Sequence, residues 1–98
     1  MKSTVEITRF KLKEGADVSE FLKASVQFLE KFLKSQSGFV SRNLITNGEG
    51  VWADLATWES MEAAQAVETA MTKNEHAGVY CSFIDFESMS MEHFYIEQ

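Results

Sequence analysis

The side chains best suited to chemistry in this sequence fall in two short stretches. Asp54 and Trp58 are four residues apart in an alternating segment, so they face the same side of a strand, and Trp52 shares that side. His76 and Tyr80 are one helical turn apart and share a helix face. Where these groups meet, Trp58 would form an aromatic wall and His76 and Tyr80 would hydrogen-bond a ring hydroxyl. Asp54 would then polarise His76 or take a proton.

Each of these residues also has a purely structural interpretation. Asp54 lies midway along a segment that is apolar on both sides, so an arginine such as Arg9 or Arg42 is expected to pair with it. In that case His76 would point to solvent as an ordinary surface histidine. Trp58 is either the wall of a pocket or part of the core.

Other kinds of site are not expected. The two histidines, His76 and His93, are not themselves spaced as a ligand pair such as i, i+4, and the carboxylates are scattered, so neither a metal nor another cofactor is predicted. Cys81 has no basic neighbour in the sequence and is expected to be an inert buried thiol. The sequence also lacks a phosphate-binding loop, a dinucleotide fingerprint and a nucleophile elbow.

Length and composition fit one globular domain over residues 1–98, with 45% hydrophobic residues and a net charge of −6. The acidic balance argues against binding to nucleic acid. The longest apolar runs cover only a few residues, so a membrane span is not expected. The start of the sequence lacks the features of a signal peptide, and a single cysteine excludes an internal disulfide. These features favour the cytoplasm.

The hydrophobic pattern predicts seven elements. Alternating residues predict four strands, over 4–12, 39–46, 51–58 and 86–96. Helical spacing predicts a helix that begins after Asp17 and ends near Gly38, a second helix capped by Ser60, and a short helix over 74–84, where a strand is the alternative. The apolar faces of the first and last of these helices are expected to include Val18, Leu22 and Val79. The turn at 47–50 joins two strands as a hairpin.

This order of elements predicts an α+β fold of ferredoxin-like topology, with a four-stranded antiparallel sheet and helices on one face. Strand 51–58 is apolar on both sides, with Leu55 on one and Trp58 on the other. The helices can cover only one face of the sheet. A second copy of the chain is therefore expected to cover the other, giving a homodimer through the open sheet face.

Three segments carry a resemblance to a known family: KLKEG, SQSGFVS and, above all, ATWESMEAA. With them the chain resembles the dimeric α+β barrel superfamily and, within it, the antibiotic biosynthesis monooxygenase-like proteins. The resemblance implies that two sheets pack into a barrel and that each subunit has a pocket between its sheet and its helices. It also implies oxygenation without metal or flavin, in which a small phenolic or quinol-like ring itself activates oxygen.

Differences from that family leave two alternatives. Monooxygenase members place an Asn where this chain has Asp54, and they use an Arg late in the chain, whereas no Arg follows Arg42 here. A non-catalytic small-molecule-binding or stress-response module on the same fold is therefore the second interpretation. A haem-binding or haem-degrading relative is the third, although the strand over 4–12 lacks the Asn that such relatives use.

Overall fold

A computed structural model of the chain describes residues 2–98 and contains the expected strands and helices. The elements are β1 (Thr4–Leu12), α1 (Val18–Lys31), β2 (Phe39–Thr46), β3 (Trp52–Trp58), α2 (Met61–Met71), α3 (Glu75–Ser82) and β4 (Ile84–Tyr95). The strands pair antiparallel in the order β2–β3–β1–β4. The predicted α+β fold with a ferredoxin-like antiparallel sheet is confirmed.

Side-chain caps define where the helices begin. Asp17 accepts a hydrogen bond from the backbone N–H of Glu20 at 3.1 Å, and Ser60 caps α2 in the same way. Asn74 accepts from the backbone N–H groups of the first turn of α3, so the ambiguous segment 74–84 is helical. Among residues 2–98, no helix has the length and apolar character needed to cross a membrane.

The first helix ends earlier than expected, and its buried face is narrower. It stops at Lys31, and a short 3-10 turn (Leu33–Ser35) leads towards Gly38. Val18 and Leu22 are 46% and 43% exposed, because the side that faces the sheet is centred on Phe21, Ala24, Ser25 and Phe28. The expectation that Val18 and Leu22 belong to the core is therefore wrong.

The short helix α3 also turns a different face inward. Ala77 and Tyr80 are its buried residues, whereas Val79 is 54% exposed. The small side chain of Ala77 allows the helix to approach its neighbours closely. The buried side of the helix is therefore centred between Ala77 and Tyr80. Val79 consequently points to solvent, and its predicted place on the inner face is wrong.

The register of the sheet decides which residues meet beneath the helices. Thr8 of β1 pairs with Asp54 of β3, and Arg42 of β2 pairs with Ala56 of β3. All four side chains point to the helix-covered face, because residues two apart along a strand share a side. Arg42 and Asp54 are diagonal neighbours in this register, within reach of each other's long side chains.

The pairing of β4 with β1 is interrupted by a bulge. Arg9 pairs with Ser90, but Lys11 pairs with Asp85, so residues 86–89 have no partners on β1. Ser88 closes the bulge by accepting from the backbone N–H of Lys11 at 2.8 Å and donating to the carbonyl of Asp85 at 2.6 Å. A bulge of this kind bends the strand and increases its twist locally.

The opposite face of the sheet is open. It carries Val5, Ile7, Leu55, Ile45 and Phe94, and the last two are 47% and 51% exposed. Within residues 2–98, all three α-helices lie on the other face. The apolar surface that the sequence predicts on this side is therefore uncovered in the single chain.

Gly38, which precedes β2, allows a test of the close contact between this segment and α2. Its φ of +82° is unfavourable for other residues, and an added Cβ would lie 2.7 Å from the Cβ of Ala63. Gly48 has a similar φ of +76° but open space around it. We expect Gly38→Ala to lower the free energy of unfolding by about 3 kcal/mol, from strain and clash together, and Gly48→Ala by about 1 kcal/mol from strain alone. Equal losses in urea denaturation would show that close packing at Gly38 is unimportant.

Candidate functional site

A cavity of about 110 Å³ lies between the sheet and the three helices. Phe10, Phe28 and Trp58 form part of its mainly apolar wall. Its most exposed wall residues are Phe86 and Met91 of β4, at 54% and 41%, so we place the entrance at this edge of the sheet. An engineered apolar cavity of roughly 150 Å³ in another protein holds benzene, so the space here suits one aromatic ring.

Four hydrogen-bonded side chains form a buried polar network at the cavity wall: Ser25, Arg42, Asp54 and Tyr80. Nε of Arg42 donates to Oδ1 of Asp54 at 2.6 Å, and the Tyr80 hydroxyl donates to Oδ2 of Asp54 at 2.6 Å. Nη1 of Arg42 donates to the hydroxyl of Ser25 at 2.8 Å. The side chains of Arg42 and Asp54 are only 4% and 15% exposed. Both carboxylate oxygens of Asp54 are thus engaged.

Aromatic rings hold the arginine in place. The rings of Phe28 and Tyr80 stack with their centroids 4.5 Å apart. The guanidinium carbon of Arg42 lies 5.4 Å from the centroid of Phe28 and 5.2 Å from that of Tyr80. A buried guanidinium gains from such contacts because the ring faces are partly negative. The contacts restrict the orientation of the charge at the cavity wall.

The environment also fixes protonation states in the network. Burial raises the pKa of the Tyr80 hydroxyl far above its usual range, and the negative charge of Asp54 raises it further. Tyr80 therefore keeps its proton and remains the donor to Asp54. Burial, with a smaller contribution from Asp54, likewise raises the pKa of the Cys81 thiol, which disfavours the reactive thiolate.

Two buried donors in the cavity wall lack hydrogen-bond partners. Within residues 2–98, the buried side-chain atoms without a partner are Nη2 of Arg42, Nε1 of Trp58 and Oγ1 of Thr4. Arg42 and Trp58 both line the cavity. Each unsatisfied buried donor costs about 1–3 kcal/mol, so a ligand oxygen that accepts from either would relieve a penalty already present in the free protein.

Glu6 is a second carboxylate at the cavity. Its side chain is 12% exposed, and Oε2 lies 2.9 Å from Nε2 of His93. Burial raises its pKa despite the opposing effect of His93, and the nearby charges of Glu68 and Asp54 raise it further. Because a raised pKa makes a carboxylate a better proton acceptor near neutral pH, Glu6 suits the role of a base.

The structure brings together three of the five residues that the sequence nominates. Asp54, Trp58 and Tyr80 line the cavity, but His76 and Trp52 do not. His76 lies in a surface groove between α1 and α3. The face of α3 that is buried carries Ala77 and Tyr80 instead. Trp52 packs edge-on against Phe21, with ring centroids 5.2 Å apart. The structure therefore places His76 and Asp54 in separate pockets and does not bring them together.

Two residues of the site were not identified as site residues from the sequence. The sequence indicates Arg42 only as one of two candidate partners for Asp54, and it does not single out Glu6. The sole sequence signal was the alternation that places Glu6 on the side of β1 opposite to Val5. Their positions at the cavity depend on the register between strands, which the hydrophobic pattern does not determine.

Comparisons with known proteins support the fold. No protein-family model and no curated protein matches the sequence. Among solved structures, the chain is similar to SnoaB, a cofactor-independent oxygenase from Streptomyces nogalater, with a TM-score of 0.79, 17% sequence identity and coverage of 100% of this chain and 96% of that chain. It is also similar to a monooxygenase from the gene ActVA-Orf6 of Streptomyces coelicolor, solved with nanaomycin D, with a TM-score of 0.69, 14% identity and coverage of 99% and 89%.

These likenesses span nearly the whole of each chain. At such low identities they show a shared fold. A solved structure that bears the name antibiotic biosynthesis monooxygenase, from Nitrosomonas europaea, is similar as well, so the likeness of this chain to such proteins, first indicated by ATWESMEAA, is confirmed at that level.

Removal of Asp54 tests the importance of the polar network. Asp54→Ala leaves the buried charge of Arg42 without its partner, so we expect the free energy of unfolding to fall by about 3–5 kcal/mol. The matched control is Glu30→Ala, which breaks the ion pair with Lys34 at the end of α1, where both side chains are about half exposed. Its loss should be at most about 1 kcal/mol. Losses of similar small size in chemical denaturation would contradict the structural importance of the buried pair.

Proposed function

We propose that the protein is a cofactor-independent monooxygenase-like enzyme that acts on a small aromatic or quinol-type compound. The observation that carries the proposal is an apolar cavity of single-ring size whose wall contains a buried arginine and an indole N–H, both with free donors. The shared fold with SnoaB and with the ActVA-Orf6 monooxygenase supports this reading.

The cavity suits an aromatic ring that carries an oxygen. Trp58 and Phe28 would pack against the ring, and an oxygen on the ring would accept a hydrogen bond from Nη2 of Arg42 or Nε1 of Trp58. The positive charge of Arg42 would stabilise negative charge on that oxygen, strongly so because the site is shielded from water.

Proton removal activates such a ring towards oxygen. Glu6 would take the proton, while Asp54 acts as a positioning residue that holds Arg42. The electron-rich ring then reacts with O2. One oxygen atom becomes a carbonyl on a ring carbon, which gives up its one hydrogen, and the ring hydroxyl becomes the second carbonyl of a quinone after giving up its proton. These two hydrogens leave with the second oxygen atom as water. The ring supplies all the electrons, so the balance requires no external reductant.

Oxygen uptake tests this proposal. We expect the purified protein to consume O2 above the buffer rate with hydroquinones or other polyphenols under air. Val67→Phe should abolish the activity because Val67 lines the cavity and the larger side chain fills it. Val26→Phe makes the same change at an exposed position on α1 and should retain the activity. No uptake with any ring tested, or equal activity of both variants, would refute the proposal.

A non-catalytic binding module is the second candidate. It is favoured by the saturation of Asp54, whose two oxygens already accept hydrogen bonds from Arg42 and Tyr80. A ligand found by mass spectrometry in the purified protein and never turned over would support it. The haem alternative gains no support, since about 110 Å³ is far below the roughly 300–1,000 Å³ typical of pockets for larger ligands.

We also propose that a second copy of the chain covers the open sheet face. The face is apolar around Leu55 and Phe94, and it also carries a cation and an anion, Arg9 and Glu92. A two-fold interface requires a surface that is complementary to itself, and a face with both charges among apolar residues meets that need. A stable assembly should bury at least roughly 1,000 Å².

Sedimentation velocity at micromolar concentration tests the dimer. We expect a dimer for the unchanged protein and a monomer for Leu55→Glu, because burying an unpaired carboxylate opposes association. Leu22→Glu places the same charge on the exposed side of α1 and should leave the dimer intact. A monomeric unchanged protein would contradict the proposal, and so would a Leu55→Glu variant that still dimerises fully.

A further inference from the structure

Three potential metal ligands converge beside the cavity, from three separate elements. They are Glu6 of β1, Glu68 of α2 and His93 of β4, whose ligand atoms all lie within 4.8 Å of one another. Nε2 of His93 is 2.9 Å from Oε2 of Glu6 and 3.9 Å from Oε1 of Glu68. One imidazole nitrogen and two carboxylates therefore face a common point.

Their mutual pairing leaves negative charge uncompensated. Nε2 of His93 is nearer to Glu6 than to Glu68, and it can share at most one hydrogen with the two carboxylates. Within residues 2–98, His93 is the only basic group in an ion-pair contact with Glu6 or Glu68. The side chain of Glu6 is largely buried, so solvent does little to screen its repulsion with Glu68. A divalent cation at the common point would neutralise both carboxylates and use the imidazole lone pair.

The same kind of pair elsewhere in the chain lacks this convergence. His76 lies 3.5 Å from Glu75, whose side chain is 85% exposed. No second carboxylate of the described residues joins that pair in a metal-sized group. The position around His93 is thus distinguished by a third ligand and by the burial of Glu6.

We propose that Glu6, Glu68 and His93 bind a divalent transition-metal ion, with zinc as the best match. One nitrogen and two oxygens at bond lengths of about 2.0–2.2 Å suit zinc, whereas magnesium prefers oxygen ligands only. Three protein ligands leave a fourth position of a tetrahedron open. Glu68 is about half exposed on a helix, so its side chain is free to move inward and complete the set.

Binding of zinc would also affect the cavity. The ion would bind the carboxylate of Glu6, which lines the cavity, and its positive charge would make that carboxylate a much weaker proton acceptor. Zinc would therefore inhibit the oxygenation. This consequence rests on the function proposed above, whereas the binding of the ion does not.

Isothermal titration calorimetry with zinc chloride tests the site, on full-length protein freed of metals with EDTA. We expect one zinc ion per chain and at least a tenfold weaker affinity for Glu68→Gln and for His93→Ala. His76→Ala removes the other histidine and should retain the affinity. Glu68→Gln changes a half-exposed residue, so a circular dichroism spectrum like that of the unchanged protein verifies its fold. No saturable binding, or an equal loss for His76→Ala and His93→Ala, would overturn the proposal.

Oxygen uptake in the presence of zinc separates this inference from the proposed function. Inhibition of the unchanged protein, and its loss in Glu68→Gln, would support both. Zinc binding without any oxygen uptake, with or without the metal, would leave the site standing and refute the function. Oxygen uptake in a protein that binds no zinc would refute the site and leave the function standing.

Discussion

The buried ion pair between Arg42 and Asp54 is the interaction on which the rest of this structure depends. Taking both charges out of water costs several kcal/mol for each, and close hydrogen bonding must compensate. The compensation comes from Ser25 on α1 and Tyr80 on α3, and the ring of Phe28 adds to it. One pair of charges in the middle of the sheet thereby connects two strands to two helices.

The same pair explains why a cavity remains in so small a protein. Polar groups occupy the centre of a face that would otherwise be filled by apolar side chains, and Ala56 beside them is small. Ala64 and Ala77, both fully buried, are small enough to let α2 approach the sheet and α3 approach α1. The helices thus contact their neighbours at the edges of the cavity, and their side chains do not fill it. Its wall combines aromatic surface with a fixed positive charge.

The fold was largely readable from the sequence, whereas the site was readable only in part. Alternation and caps locate the strands and helices because they are local signals. Asp54 was expected to pair with Arg9 or Arg42, and only the register shows that Arg9 lies on the opposite face. The spacing of His76 and Tyr80 predicts that they lie one helical turn apart, but it does not give the direction in which α3 docks.

Long-range convergence was beyond the reach of sequence spacing. Glu6 and His93 are 87 positions apart and meet only because β1 pairs with β4 in one particular register. A search for metal ligands at i, i+4 spacing does not detect such a group, since Glu68 comes from a third element. The absence of a spacing motif was therefore a weak argument against a metal site.

The indole resonances of the two tryptophans provide the most direct test of the account, whose central claim is that the cavity binds a small oxygen-bearing aromatic ring. A ¹H–¹⁵N spectrum recorded during addition of hydroquinone distinguishes Trp58, which lines the cavity, from Trp52, which does not. We predict that the Nε1–H signal of Trp58 shifts in a saturable way while that of Trp52 stays in place. No shift of Trp58 at any concentration, or equal shifts of both signals, would contradict the account.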